Sequence, residues 1–104
     1  MASYLFVYTG GSMAETPEAQ QAAMAAWGAW FGSLGDAVVD GGNPFGPAAS
    51  VASDGGVTEG GRSGLSGYSV IRADSLTAAT TLTKGCPVLA GGGGVEVYEV
   101  LPVM

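Results

Sequence analysis

Residues 3–9, Ser3-Tyr4-Leu5-Phe6-Val7-Tyr8-Thr9, decide how the chain folds. In an extended strand alternate side chains point to opposite faces, so Tyr4, Phe6 and Tyr8 line one face and Leu5 and Val7 the other. Both faces are apolar, which marks a strand covered on both sides. The closing stretch Val95–Leu101 has the same character, with Tyr98 and Val100 opposite Val95 and Val97. Gly10-Gly11-Ser12 ends the first strand.

Working outward, Thr16-Pro17 is an N-cap and N1 pair, with Glu15 and Glu18 at the helix end that favours negative charge. The helix runs to about Leu34, with Gly35 just past its end. Ala23, Trp27, Trp30, Phe31 and Leu34 share one apolar stripe, and Met24 lies at its edge. Ala37–Gly41 reads as a short second strand, and Gly42–Pro47 is too rich in turn formers to continue it without a bend. Ala48–Ala52 and Val57–Glu59 flank a hairpin signal centred on Asp54-Gly55. Gly60–Gly67 reads as a flexible connection with little reason for burial. Tyr68–Ala73 is the third core strand, and Asp74 or Ser75 caps a helix over Leu76–Lys84. Gly85 ends that helix, Pro87 prevents its resumption, and Gly91–Gly94 forms a loop.

The order strand, helix, strand, hairpin insertion, strand, helix, strand predicts one domain over residues 1–104. Its class is α+β, a ferredoxin-like sandwich (βαββαβ with a hairpin insertion) built on two right-handed crossovers. The helices cover one sheet face only. Exposing the other would forgo about 1.5–3 kcal/mol for each large apolar group. A sheet-to-sheet homodimer is therefore expected.

Composition narrows the function classes. The chain has nine acidic and three basic residues, a net charge of −6, and no histidine. Arg62, Arg72 and Lys84 are isolated, so the clustered positive charge of a nucleic-acid or anionic-membrane binder is missing. The longest uncharged stretch, Ala19–Gly35, is 17 residues, short of the roughly 20 a spanning helix needs. No secretory signal is recognisable at the start, and Cys86 is the sole cysteine. A cytoplasmic protein is expected, without disulfides, a metal site or a cofactor. Without histidine there is no His-based triad or His-containing zinc site. Asp, Glu, Tyr, Cys and one Lys remain as the acid–base inventory.

Within that inventory, Asp36 and Asp40 would share a strand face in an ideal extended chain. Asp40 is the stronger ligand candidate because it precedes the Gly41-Gly42-Asn43-Pro44 loop, where Asn43 offers both a donor and an acceptor. Tyr8 at the end of the first strand and Tyr98 in the last are hydroxyls that orient a polar ligand or pack an interface. Trp27 and Trp30 anchor the core, and Trp27 is also a candidate for lining a cavity. Cys86 lies beyond a helix C-terminus, the dipole end that disfavours a thiolate. Gly91–Gly94 precedes a strand and lacks the lysine and hydroxyl of a phosphate loop.

Several stretches resemble the YCII-related family, whose relatives include DGPF-domain proteins. They are Tyr4-Leu-Phe-Val-Tyr8, Trp27-Gly-Ala-Trp-Phe-Gly-Ser-Leu-Gly35, Asp40-Gly-Gly-Asn-Pro-Phe-Gly-Pro47 and Gly94-Val-Glu-Val-Tyr-Glu-Val-Leu-Pro-Val-Met104. Val57-Thr-Glu-Gly-Gly61 is similar to the DGPF signature in part, with Glu59 where Asp is usual and no Pro-Phe half. The resemblance spans essentially the whole chain and implies a dimeric ferredoxin-like α/β-barrel assembly with clefts near the dimer interface. The enzymatic role suggested for some members rests on a His–Asp pair with the His on the first helix. This chain has Met24 near that place, so that activity does not carry over.

The leading expectation is a homodimer that binds a small polar or aromatic metabolite in an interfacial cleft, with Tyr8, Trp27, Asp40, Asn43 and Tyr98 as candidate ligand residues. One alternative is a small enzyme using a carboxylate–tyrosine pair, which needs Asp36 or Asp40 to converge with a tyrosine at a cavity. The other is a structural or protein-interaction module whose dimer surface is its function.

Overall fold

The computed structural model describes residues 2–10, 16–60 and 64–102. Gly11 and Ser12, Glu15, residues 61–63 of the expected connection (Arg62 among them) and Val103-Met104 lie outside the described residues. Strand β1 is Ala2–Thr9, helix α1 Pro17–Leu34 and strand β2 Val38–Asp40. A hairpin of β3 (Ala49–Val51) and β4 (Val57–Glu59) follows. After it come β5 (Leu65–Ala73), α2 (Leu76–Thr83), a four-residue α3 (Pro87–Ala90) and β6 (Gly94–Val100). The main sheet is antiparallel in the order β2-β5-β1-β6, so the two-sided apolar strand is internal.

Register assigns the faces. Phe6 lies opposite Ser69 and Val97, and Tyr4 opposite Ile71. These side chains face the helices, with Tyr8, Ala73, Trp30, Ala79 and Cys86 completing the buried core. Thr16 caps α1, its hydroxyl accepting from Ala19 N–H at 3.1 Å, and Ser75, not Asp74, does the same for α2 through Ala78 N–H at 3.1 Å. The two helices are tied by one side chain: the Trp30 indole stacks near Phe6 at 6.4 Å and donates its N–H to the Leu82 carbonyl at 3.1 Å. That bond satisfies the only polar atom of a large buried ring.

On the second sheet face stand Leu5, Val7, Tyr68, Val70, Tyr98 and Val100, together with Ser3, Arg72 and Glu96, as the register requires. Tyr98 and Val100 are 52% and 46% exposed. All three helices contribute to the core on the other face. The β3–β4 hairpin forms its own two-stranded sheet around Asp54-Gly55, and its Val51–Val57 cross-strand pair is exposed. No helix of the described residues is long and apolar enough to cross a membrane.

Three expectations need correction. Asp36 belongs to a 3-10 turn over Gly35–Ala37 and not to a strand, so the shared strand face with Asp40 does not exist. Pro87 begins a helix instead of preventing one: it occupies the first turn of α3, where its missing N–H costs nothing. Cys86 consequently precedes a helix as well as following one. Finally, Leu65–Gly67 extend β5 and pair with Thr9 and Tyr8, and Gly67 is buried.

The reason for this last difference is backbone proximity. After β2 the chain follows the edge of β5: Tyr68 N–H donates to Asn43 O at 3.2 Å, Phe45 N–H to Ser66 O at 2.9 Å, and Pro44 bridges to Gly67. Gly42 adopts φ +77°, and a Cβ there would lie 1.7 Å from the Tyr68 carbonyl oxygen. At Gly67 a Cβ would meet Asn43 O at 3.1 Å and Pro44 Cα at 3.3 Å. These two glycines let the segments touch.

By contrast, a Cβ at Gly28 or Gly32 in α1 meets nothing within 4 Å. Gly28→Ala and Gly32→Ala are each expected to raise stability by up to about 1 kcal/mol through helix propensity. Gly42→Ala should lower it by about 1–3 kcal/mol or more. Urea unfolding followed by tryptophan fluorescence checks all three, and a Gly42→Ala chain as stable as the parent would contradict the tight seam.

Candidate functional site

The seam between β2 and β5 builds one wall of a cavity of about 490 Å³. Helix α1 supplies the opposite wall with Ala23, Met24, Trp27 and Phe31, and Val88 of α3 closes one side. The strand ends contribute Tyr8 from β1 and Ser66–Ser69 from β5, and the loop contributes Gly41–Pro44. Size and lining are those of a small-molecule site, which typically measures about 300–1,000 Å³ and is mostly apolar.

Aromatic contacts set the shape. Trp27 meets Tyr8 edge-on at 5.0 Å and Trp30 edge-on at 5.8 Å, and Phe31 lies 5.9 Å from it at a tilt. Such geometries suit the ring quadrupoles and hold Trp27 in a fixed orientation. Trp27 is half-buried, with Met24 beside it 75% exposed at the rim.

A directed hydrogen-bond chain runs along the floor. The Gly41 carbonyl has no proton, so the bond of 2.6 Å to it must be donated by the Ser69 hydroxyl. Ser69 has then spent its single proton, and the 2.7 Å bond between Tyr8 and Ser69 is donated by Tyr8. Ser66 likewise donates to the Tyr8 carbonyl at 3.1 Å. The chain joins β1, β5 and the loop, and among the described residues no buried side-chain polar atom lacks a partner. Burial pushes the Tyr8 phenol up to about 12. Burial also pushes the thiol of the buried Cys86 up, against an opposing backbone hydrogen bond at Val88.

The structure therefore brings Tyr8, Trp27 and Asn43 to one cavity. It does not bring Asp40 or Tyr98 there. Asp40 is exposed, and its carboxylate accepts from Gly42 N–H at 2.9 Å, shaping the start of the loop. Asp36 contributes its backbone carbonyl to Arg72 at 2.9 Å. Tyr98 lies on the sheet face opposite Tyr8, where its hydroxyl donates to the Glu96 carboxylate. That bond and the adjacent charge hold its pKa above the ordinary value. The only tyrosine–carboxylate hydrogen bond among the described residues is thus on an exposed strand and outside the cavity. No charged side chain lines the cavity, and no cluster of three or more potential metal ligands exists, both statements holding among the described residues.

Sequence reasoning missed Phe31, Met24 and Val88 as lining residues and Ser66 and Ser69 as polar ones. Ser69 left a signal: it is the polar member of the alternating series Ser69, Ile71, Ala73 that faces the core. A serine on a buried strand face is expected to have a hydrogen-bonding task.

Comparison with protein-family models, with curated proteins and with solved structures gives no match to the chain.

Ser69→Ala is expected to cost about 1–3 kcal/mol, because it strands the buried Tyr8 hydroxyl. The double variant Tyr8→Phe/Ser69→Ala should recover part of that loss in urea unfolding. The raised Tyr8 pKa also has a stability consequence. The protonated phenol is favoured in the folded chain, so its contribution is complete below pH 10 and is lost as pH rises to about 12. Tyr8→Phe should flatten the decline of stability across that window, and an unchanged pH profile would contradict a buried Tyr8 phenol.

Proposed function

We propose that this chain is a homodimeric ligand-binding protein of the YCII-related, ferredoxin-like kind, acting in the cytoplasm and holding a small molecule between α1 and the Gly41–Pro44 loop. The observation that carries this reading is the preformed aromatic cavity of about 490 Å³ with a few convergent polar groups. The strand order β2-β5-β1-β6 supports the ferredoxin-like part, since it is the order that two β–α–β crossovers around an internal β1 generate. The lone cysteine suits a reducing compartment.

The apolar part of the second sheet face supports the homodimer. Leu5, Val70, Tyr98 and Val100 form a continuous surface on three neighbouring strands, and sheet-to-sheet packing is an established way to bury one. The cavity lies close to that face. Tyr68 lines the cavity, shares the second face with Val7, and stacks on Phe45 at 5.8 Å. A partner covering the face would thus border the loop that walls the cavity.

Two measurements test the reading. A broad thermal-shift screen of small molecules should return compounds that stabilise the chain and quench Trp27, and the effect should disappear in Trp27→Ala if that variant remains folded by circular dichroism. Light scattering at micromolar concentration should give twice the 10.2 kDa chain mass, falling to one chain in Tyr98→Lys/Val100→Lys. A screen without a stabilising compound refutes the binding role, and a monomeric parent chain refutes the homodimer.

A further inference from the structure

We propose that the β3–β4 hairpin is an arm that crosses onto a second copy of this chain and packs its valine face there. The assignment rests on the homodimer reading above and deepens it by naming the element that completes the interface.

A two-stranded hairpin on its own is marginally stable at best in water, yet β3 and β4 form a sheet by themselves, apart from the four strands of the main one. Among the described residues, the hydrogen bonds of residues 48–60 stay inside that segment. Gly60 N–H donates to the Ala48 carbonyl at 2.8 Å, Ala52 N–H to the Gly56 carbonyl at 2.8 Å, and the Ser50 hydroxyl to the Gly60 carbonyl at 2.9 Å. Apart from Ser50, the whole segment is exposed, and none of it belongs to the buried core or to the side chains packed against that core. The radius of gyration is 15.0 Å, against about 13 Å for a compact domain of this size. A segment standing off the fold as an arm produces such an excess.

Register gives the arm two unlike faces. Val51 and Val57 stand opposite each other, 68% and 70% exposed, on the same face as Ala49 and Glu59, while Ser50 and Thr58 take the other. A cross-strand valine pair gains from burial, and nothing in its own chain buries this one.

The second copy follows from size and continuity. The second sheet face has four strands, but β2 supplies only three residues, and Ser3, Arg72 and Glu96 interrupt its apolar part. With strands about 4.8 Å apart and about 3.4 Å per residue, a face the length of β6 outlines roughly 450 Å². A stable interface takes about 800 Å² from each partner. The arm, two strands wide and about six residues long, adds roughly 200 Å². Under two-fold symmetry each protomer both extends an arm and receives one, so the arms supply most of what the sheets lack. By itself the arm is too small to hold an unrelated protein. Its root also joins the sheet face: Phe45, 44% exposed, stacks on Tyr68 of that face at 5.8 Å, and the arm begins just beyond it at Ala48.

The test uses Val51→Lys/Val57→Glu, which replaces the valines by an opposite-charge pair that a hairpin tolerates. Both positions are exposed in the single chain, so circular dichroism should show the variant folded like the parent. Analytical ultracentrifugation should show its dimer weakened at least about tenfold in Kd. Hydrogen exchange supplies a readout on the parent itself: protection of the Ala52 and Gly60 amides should rise with protein concentration, in step with the dimer fraction. A variant that dimerises as tightly as the parent overturns the arm and leaves the homodimer standing. Equal protection of those amides in a chain diluted to the monomer does the same. A parent chain that is monomeric at micromolar concentration overturns both readings.

Discussion

Two stretches of backbone press together where the chain leaves β2, and the cavity depends on that contact. Gly42 lies so near the Tyr68 carbonyl that no side chain fits between them, and Gly67 takes the loop in the same way one step further along β5. The result is an edge that continues past the last residue of β2, held by Asn43 and Phe45 through backbone bonds to β5. This seam carries Gly41 to the position where Ser69 can reach its carbonyl, and Ser69 in turn receives the Tyr8 hydroxyl. Loop, strand and cavity floor are therefore one hydrogen-bonded unit. Loosening the seam would leave buried polar groups without partners, which is more expensive than the bonds themselves are favourable.

This dependence explains which parts of the fold were legible in the sequence. β1 announced itself because its alternating apolar groups are large, and the starts of α1 and α2 because Thr16-Pro17 and Ser75 cap them by local chemistry that sequence spacing encodes. The Asp54-Gly55 hairpin was local in the same sense. Gly42 and Gly67 were not, because a glycine demanded by a distant backbone looks identical to one demanded by its own turn. Hence the segment ending at Gly67 resembled a flexible connection, although its last three residues are strand. Pro87 carried a comparable ambiguity, since the ring that stops one helix is equally suited to start another.

The candidate site was legible to a similar extent and for a related reason. Tyr8 and Trp27 stood out as large groups at element positions that tertiary packing then joined. The carboxylates stood out because charge is conspicuous in a list of residues, yet Asp36 and Asp40 serve the local backbone geometry at the surface. Tyr98 was separated from Tyr8 by strand register, which puts the two on opposite faces once Leu5 pairs with Tyr98 and Val95 with Tyr8. Two serines, the least conspicuous of these residues, stand beside Asn43 and Tyr68 among the polar residues of the lining and tie its strands and loop together. Their role lies in the direction of their hydrogen bonds, and that direction exists only after folding has supplied the two carbonyls.

The abundance of small residues acquires a physical meaning from this arrangement. The 19 glycines and 16 alanines leave few large groups to fill a core, and those groups are concentrated where α1 meets the sheet. Trp27, Trp30 and Phe31 brace the helix against β1, while Ala23 on the helix and Gly41, Gly42 and Gly67 on the facing wall bring no bulk of their own. Large rings as spacers with small residues between them leave room by construction. An apolar space of this kind gains from an apolar occupant, since water beside ring faces gives up little on leaving. The same composition that thins the core thus leaves an open cavity between α1 and the Gly41–Pro44 loop.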